Sequence, residues 1–177
     1  MTSPAQFRPS RLSGDLKVAR VGEPCAELNR FLYTAVGGDY HWTDCLDWTY
    51  AEWQRFVERR ELHTWVGYVH DTPAGYFELE ERPDRSVHIL HFGLLRQFIG
   101  RGLGGELLTE AVLRGWELLP ERLCLHTNTL DGEHALANYL ARGFVVVDAH
   151  RTRREIPGVP PGPWPGSGPR LTPKRSP

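Results

Sequence analysis

The sequence predicts one α/β domain of the α+β kind, with six strands and about four helices. Two observations predict it. Strand-like and helix-like stretches follow in the order strand, helix, helix, three strands, helix, strand, helix, strand. The 177-residue chain, 40% hydrophobic and 24% charged, has the size and balance of a single unit able to bury a core.

Each element has a local reason. "LKVARV" (Leu16–Val21) reads as a short strand. "PCAELNRFLYTAVGG" reads as a helix, with Pro24 at its first position, a stripe of Leu28, Phe31, Leu32 and Ala35, and Gly37-Gly38 as its stop. After the aromatic loop "DYHWTDCLDWT", Thr49 and Glu52 form a capping box, and Trp53, Phe56 and Val57 give that helix its inner face. "HTWVGYVHDTPAGYFELEERPD" reads as two strands around a Pro/Gly turn, and "SVHILHFGLL" (Ser86–Leu95) as a third, apolar one. A glycine stretch follows, then "ELLTEAVLRGWELL", where Leu107, Leu108, Ala111, Val112 and Leu119 carry helical periodicity. "RLCLHT" (Arg122–Thr127) is a short strand. "DGEHALANYLARGF" is a helix closed by Gly143 with Phe144 just beyond, and "FVVVDAH" is the last strand.

Composition excludes several classes. A net charge of −1 gives no electrostatic footprint for nucleic acid or an anionic membrane. The three cysteines, Cys25, Cys45 and Cys124, are odd in number and lack CxxC spacing, so no disulfide framework is implied. The polar start has no apolar signal region, and no apolar run approaches the ~20 residues of a membrane span. The expected location is the cytoplasm. Residues 1–14 are expected to be flexible, residues 15–156 to form the domain, and residues 157–177 to be a Pro/Gly-rich disordered tail.

"RQFIGRGLGGELL" (Arg96–Leu108) carries the strongest chemical signal. Its core satisfies G-x-G-x-x-G through Gly100, Gly102 and Gly105, the pattern of dinucleotide-binding turns. A glycine-rich turn entering a helix offers backbone N–H groups and the positive end of a helix to a pyrophosphate. A dinucleotide fold needs a βαβ unit around that turn, with a carboxylate about 20 residues on. Here a three-strand meander precedes it, and Glu121 falls before the next strand.

A second pattern overlaps these residues. The chain resembles the GNAT superfamily of acetyl-CoA-dependent N-acetyltransferases, whose signature is Q/R-x-x-G-x-G/A. It is read as Gln97-Phe98-Ile99-Gly100-Arg101-Gly102, or as Ile99-Gly100-Arg101-Gly102-Leu103-Gly104. The second register fits the strand-to-loop spacing better and places Ile99 where the family has Gln or Arg. "ALANYLARGF" looks like the family's late Tyr-x-x-x-Gly-Phe segment, through Tyr139, Gly143 and Phe144, and the element order matches over residues 14–150.

The resemblance implies a mixed central sheet of six to seven strands, with the fourth and fifth splayed. The seventh strand is expected to be short, absent, or completed by a homodimer partner. Acetyl-CoA is the implied co-substrate and no metal is expected. Phe92, Gly93 and Leu94 would hold the pantetheine arm; Ile99, Gly100, Arg101, Gly102, Leu103 and Gly104 the pyrophosphate; Asn128, and less strongly Asn138, the cofactor's amides. Tyr139 is the implied general acid toward the leaving thiolate. His88 or Glu78, directly or through water, is the implied base toward the amine, with His126 a weaker choice. Tyr33, Tyr40 and Trp42 of the aromatic loop are expected to contact a small-molecule or peptide amine. A non-catalytic CoA-binding module and an NAD(P)-dependent oxidoreductase are the alternatives.

Overall fold

The computed structural model describes residues 1–153 and 155–162. Its strands are β1 (Leu16–Arg20), β2 (Leu62–Val69), β3 (Thr72–Glu81), β4 (Ser86–Leu94) and β5 (Arg122–Leu125). They form one mixed sheet in that order, antiparallel from β1 to β4 and parallel between β4 and β5. The longer helices are α1 (Ala26–Gly37), α2 (Tyr50–Val57), α3 (Leu103–Glu117) and α4 (Ala135–Ala141).

Strand alternation decides which face each residue covers. On one face Phe77, Leu79, Val87, Ile89 and Leu123 pack with Leu107, Leu108, Ala111 and Val112 of α3. On the other, Val66 and Tyr76 pack with Leu32 and Val36 of α1. Full burial of each large side chain contributes about 1.5–3 kcal/mol, so the α3 face is the main core.

Several elements differ from the sequence-based expectation. Five strands are present among the described residues, not six or seven. Residues 145–150 form no strand, and Val145, Val146 and Val147 are exposed. β-branched composition favours a strand only where an edge is there to pair with it. Helix α1 starts at Ala26 behind an extended Cys25, which leaves Pro24 outside it. The β2–β3 turn is made by His70 and Asp71 at φ 48° and 60°, so Pro73, Ala74 and Gly75 lie inside β3. Leu119 lies beyond α3 and is exposed.

The first 14 residues are docked, contrary to expectation. The Met1 and Phe7 side chains pack on the α3-face core. Ser10 N donates to Thr109 Oγ1 at 2.9 Å, and Ser13 N donates to the buried Glu106 at 2.9 Å. Arg8 N donates to the Arg142 carbonyl at 3.2 Å. Partnered backbone and buried apolar anchors hold a Pro/Ser/Arg-rich segment whose composition alone reads as loose. At the other end, Gly162 N donates to the Gly38 carbonyl at 3.0 Å, so part of the expected tail also docks. The rest of it, 163–177, lies outside the described residues.

Candidate active site

The central feature is where two strands part. Pairing of β4 with β5 runs from Ser86↔Arg122 to Ile89↔Leu125 and ends there. β4 continues through Leu90–Leu94 with β3 alone beside it. The chain after β5 is drawn into a turn instead: Thr127 Oγ1 and Asn128 N donate to Asp131 Oδ2 at 2.7 and 3.1 Å. Leu90–Leu94 therefore presents an open backbone edge to a gap. Such an edge suits an extended chain bearing amides, which can add main-chain hydrogen bonds.

The glycine turn lies at the end of that edge. Gly100 and Gly102 both have φ +80°, and Gly102 caps α3. No heavy atom lies within 4 Å of a Cβ built at either, so conformation rather than crowding requires glycine there. The start of α3 has no side-chain cap. Gly104 sits in the first turn of α3, and its carbonyl accepts from Asn138 Nδ2 at 3.1 Å. Asn138 thus ties α4 to the start of α3. Gly105 has a separate structural reason: a Cβ there would stand 2.7 Å from Ser10 Oγ. The third glycine of G-x-G-x-x-G is thereby explained by packing of the N-terminal segment. Ile99 is extended and 45% exposed, so its side chain builds none of the cradle and its backbone carries the position. Arg101 lies over the Phe98 ring at 5.2 Å, and Leu103 is buried. Gly102→Ala should cost about 1–2 kcal/mol from the left-handed backbone. Titration calorimetry with acetyl-CoA should show at least tenfold weaker binding, whereas Gly104→Ala, whose Cβ would meet Leu94 and Asn138 only at ordinary contact distances of 3.8 and 3.9 Å, should bind nearly as the parent.

Tyr139 stands on the α3 face beside the open edge, its ring centroid 6.0 Å from that of Phe92. It is 7% exposed. Its hydroxyl makes no hydrogen bond among the described residues and is not sealed from solvent. Burial, with a smaller contribution from Asp131, pushes its ionisation upward, so the phenol stays protonated at physiological pH.

The other face carries the polar groups, and a bulge places them. Leu79 pairs Ile89 while Glu78 pairs His91, leaving Leu90 as an extra residue in β4. A one-residue insertion reverses the faces of everything beyond it. Phe92 therefore joins the α3 core with Val87 and Ile89, and His91 turns to the α1 face. Glu78 is 1% exposed. Its Oε1 accepts from Asn29 Nδ2 at 2.6 Å, and its Oε2 is 2.5 Å from His91 Nδ1. Asn29 also donates to Thr64 Oγ1 at 2.8 Å. Both oxygens of Glu78 are thus engaged and the side chain is almost fully buried. His88 lies before the bulge and lines a cavity of about 540 Å³ with Arg82, Asp84, Leu90 and His126, where β4 and β5 part. Burial, then Arg82, lowers its pKa from the usual imidazole value. His88, across from Glu80, shares a face with Glu78, and His91 stands directly across from Glu78 on the strand that borders the gap. The sequence signal for this is a phase break: apolar residues at 87 and 89 are followed by apolar residues at 92 and 94.

The aromatic loop folds over the same face. Tyr33 and Trp42 lie 5.1 and 5.2 Å from the His91 ring, centroid to centroid, and Phe56 lies at 6.3 Å. Tyr33 is a core residue whose hydroxyl accepts from Cys45 N at 3.4 Å. The Trp42 ring occupies the space a Cβ on Gly37 would need. Tyr40 lies instead against Gly132, so the α1–α2 connection meets the loop after β5. Arg96 pairs with Asp39 and anchors that connection to the segment after β4. Asn128 Oδ1 accepts from Leu130 N at 2.8 Å, so its side chain shapes the turn after β5. Among the described residues no group of three or more His, Cys, Asp or Glu is placed to hold a metal, and no helix is long and apolar enough to cross a membrane.

Comparison with known proteins agrees with this architecture. The model of the acetyltransferase (GNAT) family matches residues 24–144. An aminoglycoside acetyltransferase, meta-AAC0020 from an uncultured soil metagenomic sample, solved with trehalose, superposes with a TM-score of 0.63 at 15% identity, covering 81% of this chain and 100% of that one. AAC(6')-Iy bound to the bisubstrate analogue CoA-S-monomethyl-acetylneamine gives 0.61 at 15% identity, over 79% and 97%. A ribosomal-protein-alanine N-acetyltransferase from Brucella melitensis biovar Abortus 2308 gives 0.57 at 12%, over 79% and 99%. At these identities the likeness is one of fold. No curated protein matches the sequence.

Proposed function

Because the chain belongs to the acetyltransferase (GNAT) family, an acyltransferase family, we propose that it moves the acetyl group of acetyl-CoA to a primary amine by direct attack in a ternary complex. The observation that carries this reading is the gap between β4 and β5, which opens after Ile89 and Leu125 and ends at the glycine turn. The residues present fit the co-substrate. Backbone groups of Phe92, Gly93 and Leu94 hold the amide-bearing arm. Those from Ile99 to Gly104 hold the pyrophosphate at the start of α3, with Arg101 beside them. Tyr139, protonated and next to Phe92, supplies a proton to the departing thiolate. The similarity to AAC(6')-Iy, solved with a CoA bisubstrate analogue, supports the same placement.

The acceptor enters from the face of α1 and α2, where the α1–α2 connection with Tyr40 and Trp42 roofs the gap. Aromatic faces attract a cationic amine. The aminoglycoside and ribosomal-protein-alanine acetyltransferases among the similar folds favour a small polyamine or an N-terminal amine. The three-strand meander before the glycine turn argues against the oxidoreductase reading. Thermal shift separates the two: acetyl-CoA should raise the melting temperature and NAD(P)H should not. A shift with NAD(P)H alone rejects the proposal.

A further inference from the structure

We propose that His91 is the group that takes the amine's proton, with Glu78 and Asn29 as its positioning residues. The inference rests on the acetyl-transfer reading and names the base within it. The Glu78 carboxylate is fixed from one side by Asn29 Nδ2 at 2.6 Å and meets His91 Nδ1 at 2.5 Å on the other. A buried carboxylate on Nδ1 selects the tautomer that carries its hydrogen there and leaves Nε2 as the acceptor. Among the described residues Nε2 has no partner and is not sealed from solvent, and the side chain is 18% exposed. The rings of Tyr33, Trp42 and Phe56 flank the imidazole.

Position along β4 decides between the histidines. His91 adjoins Phe92, within the stretch that has lost β5, whereas His88 lies where β5 is still paired. Across the bulge, His91 projects on the α1 face and Phe92, with Tyr139 beside it, on the α3 face. His91 and Phe92 are adjacent on the edge that has lost β5, so the base stands on one side of the sheet and Tyr139, beside Phe92, on the other. The protons balance as follows. An ammonium N–H bond breaks and its proton passes to His91 Nε2, giving an imidazolium faced by the Glu78 carboxylate, and then to solvent. The freed amine attacks the thioester carbonyl and the C–S bond breaks. The thiolate takes the Tyr139 proton, and the nitrogen's second proton, leaving by way of His91, restores the phenol through solvent. One net proton is released per turnover.

The titratable groups around the pair are Tyr76 of β3, Tyr33 of α1, and Asp44 and Cys45 of the connection. Burial pushes the thiol of Cys45 up to about 11 and raises Tyr33 and Tyr76 as well, so none of these three changes charge near neutrality.

The test is thiol release from acetyl-CoA by the full chain, with sisomicin, benzylamine and an alanine-ended peptide as acceptors, over pH 6–10. His91→Gln should lose at least 100-fold in kcat at pH 7 with KM for acetyl-CoA within threefold, in line with the 10²–10⁴-fold usual for a general base. Its rate should then climb about tenfold per pH unit as the amine deprotonates unaided, while the parent levels off. Glu78→Gln should fall between the two in kcat, and His91→Asn serves if His91→Gln melts early. A His91→Gln profile that runs parallel to the parent's at similar rates overturns the inference. A parent that binds acetyl-CoA but releases no thiol with any of these amines overturns the acetyl-transfer reading, and the assignment of His91 with it.

Discussion

Tyr139→Phe should lower kcat for thiol release by about 10²–10⁴-fold, the range for loss of a positioned general acid. Binding of acetyl-CoA should stay within a fewfold. The ring is packed between Phe92 and Phe144, and phenylalanine keeps that packing. The hydroxyl has no partner to lose among the described residues, so stability should change by less than about 1 kcal/mol. The upward shift from burial adds a pH signature: no alkaline limb from Tyr139 should appear below about pH 10, the free phenol's range. A variant that keeps full turnover removes Tyr139 as the proton source and leaves it a core residue.

Gly143→Ala should be the most destabilising single methyl in the chain's late segment. Gly143 has φ +96°, and a Cβ there would overlap the carbonyl oxygen of Gln6. Backbone strain of about 1–3 kcal/mol adds to about 1–3 kcal/mol of overpacking. For a domain of this size each kcal/mol lowers the melting temperature by about 2–4 °C, so a fall near 10 °C is expected in a thermal melt. The effect should shrink if residues 1–7 are deleted, because the clash is with that segment. A melting temperature within about 2 °C of the parent contradicts the docking of the N-terminal residues.

Local chemistry was most legible where one rule acts alone. The capping box of Thr49 and Glu52 forms as its spacing implies, with Thr49 N donating to Glu52 at 2.7 Å. The glycine turn, the helix after it and the Gly143 stop follow directly from backbone conformation. The meander was legible as runs of apolar and β-branched residues, although its first turn fell two residues earlier than Pro73 suggested.

What the sequence hid depends on partners distant in the chain. Residues 1–14 look loose until Thr109, Glu106 and Arg142 are seen to hold them. The valines at 145–147 look like a strand until the sheet shows nothing paired with them. The candidate site shows the same limit in its most consequential form. Counting back along β4 from Leu94, as the family resemblance suggests, singles out His88 as a base. The extra residue at Leu90 shifts the phase and puts His91 beside Glu78, while His88, across from Glu80, lines the cavity where β4 and β5 part. Glu78 was legible as a residue that matters. Its burial and its two partners, Asn29 and His91, are what the sequence does not show.

The most direct test of the central claim is a crystal structure of the chain with CoA. The account predicts the pantetheine arm along the free edge of Leu90–Leu94, the pyrophosphate on the N–H groups of Gly100–Gly104, and the sulfur within hydrogen-bonding reach of the Tyr139 hydroxyl. CoA bound elsewhere, or with its sulfur on a face remote from both Tyr139 and His91, would contradict it.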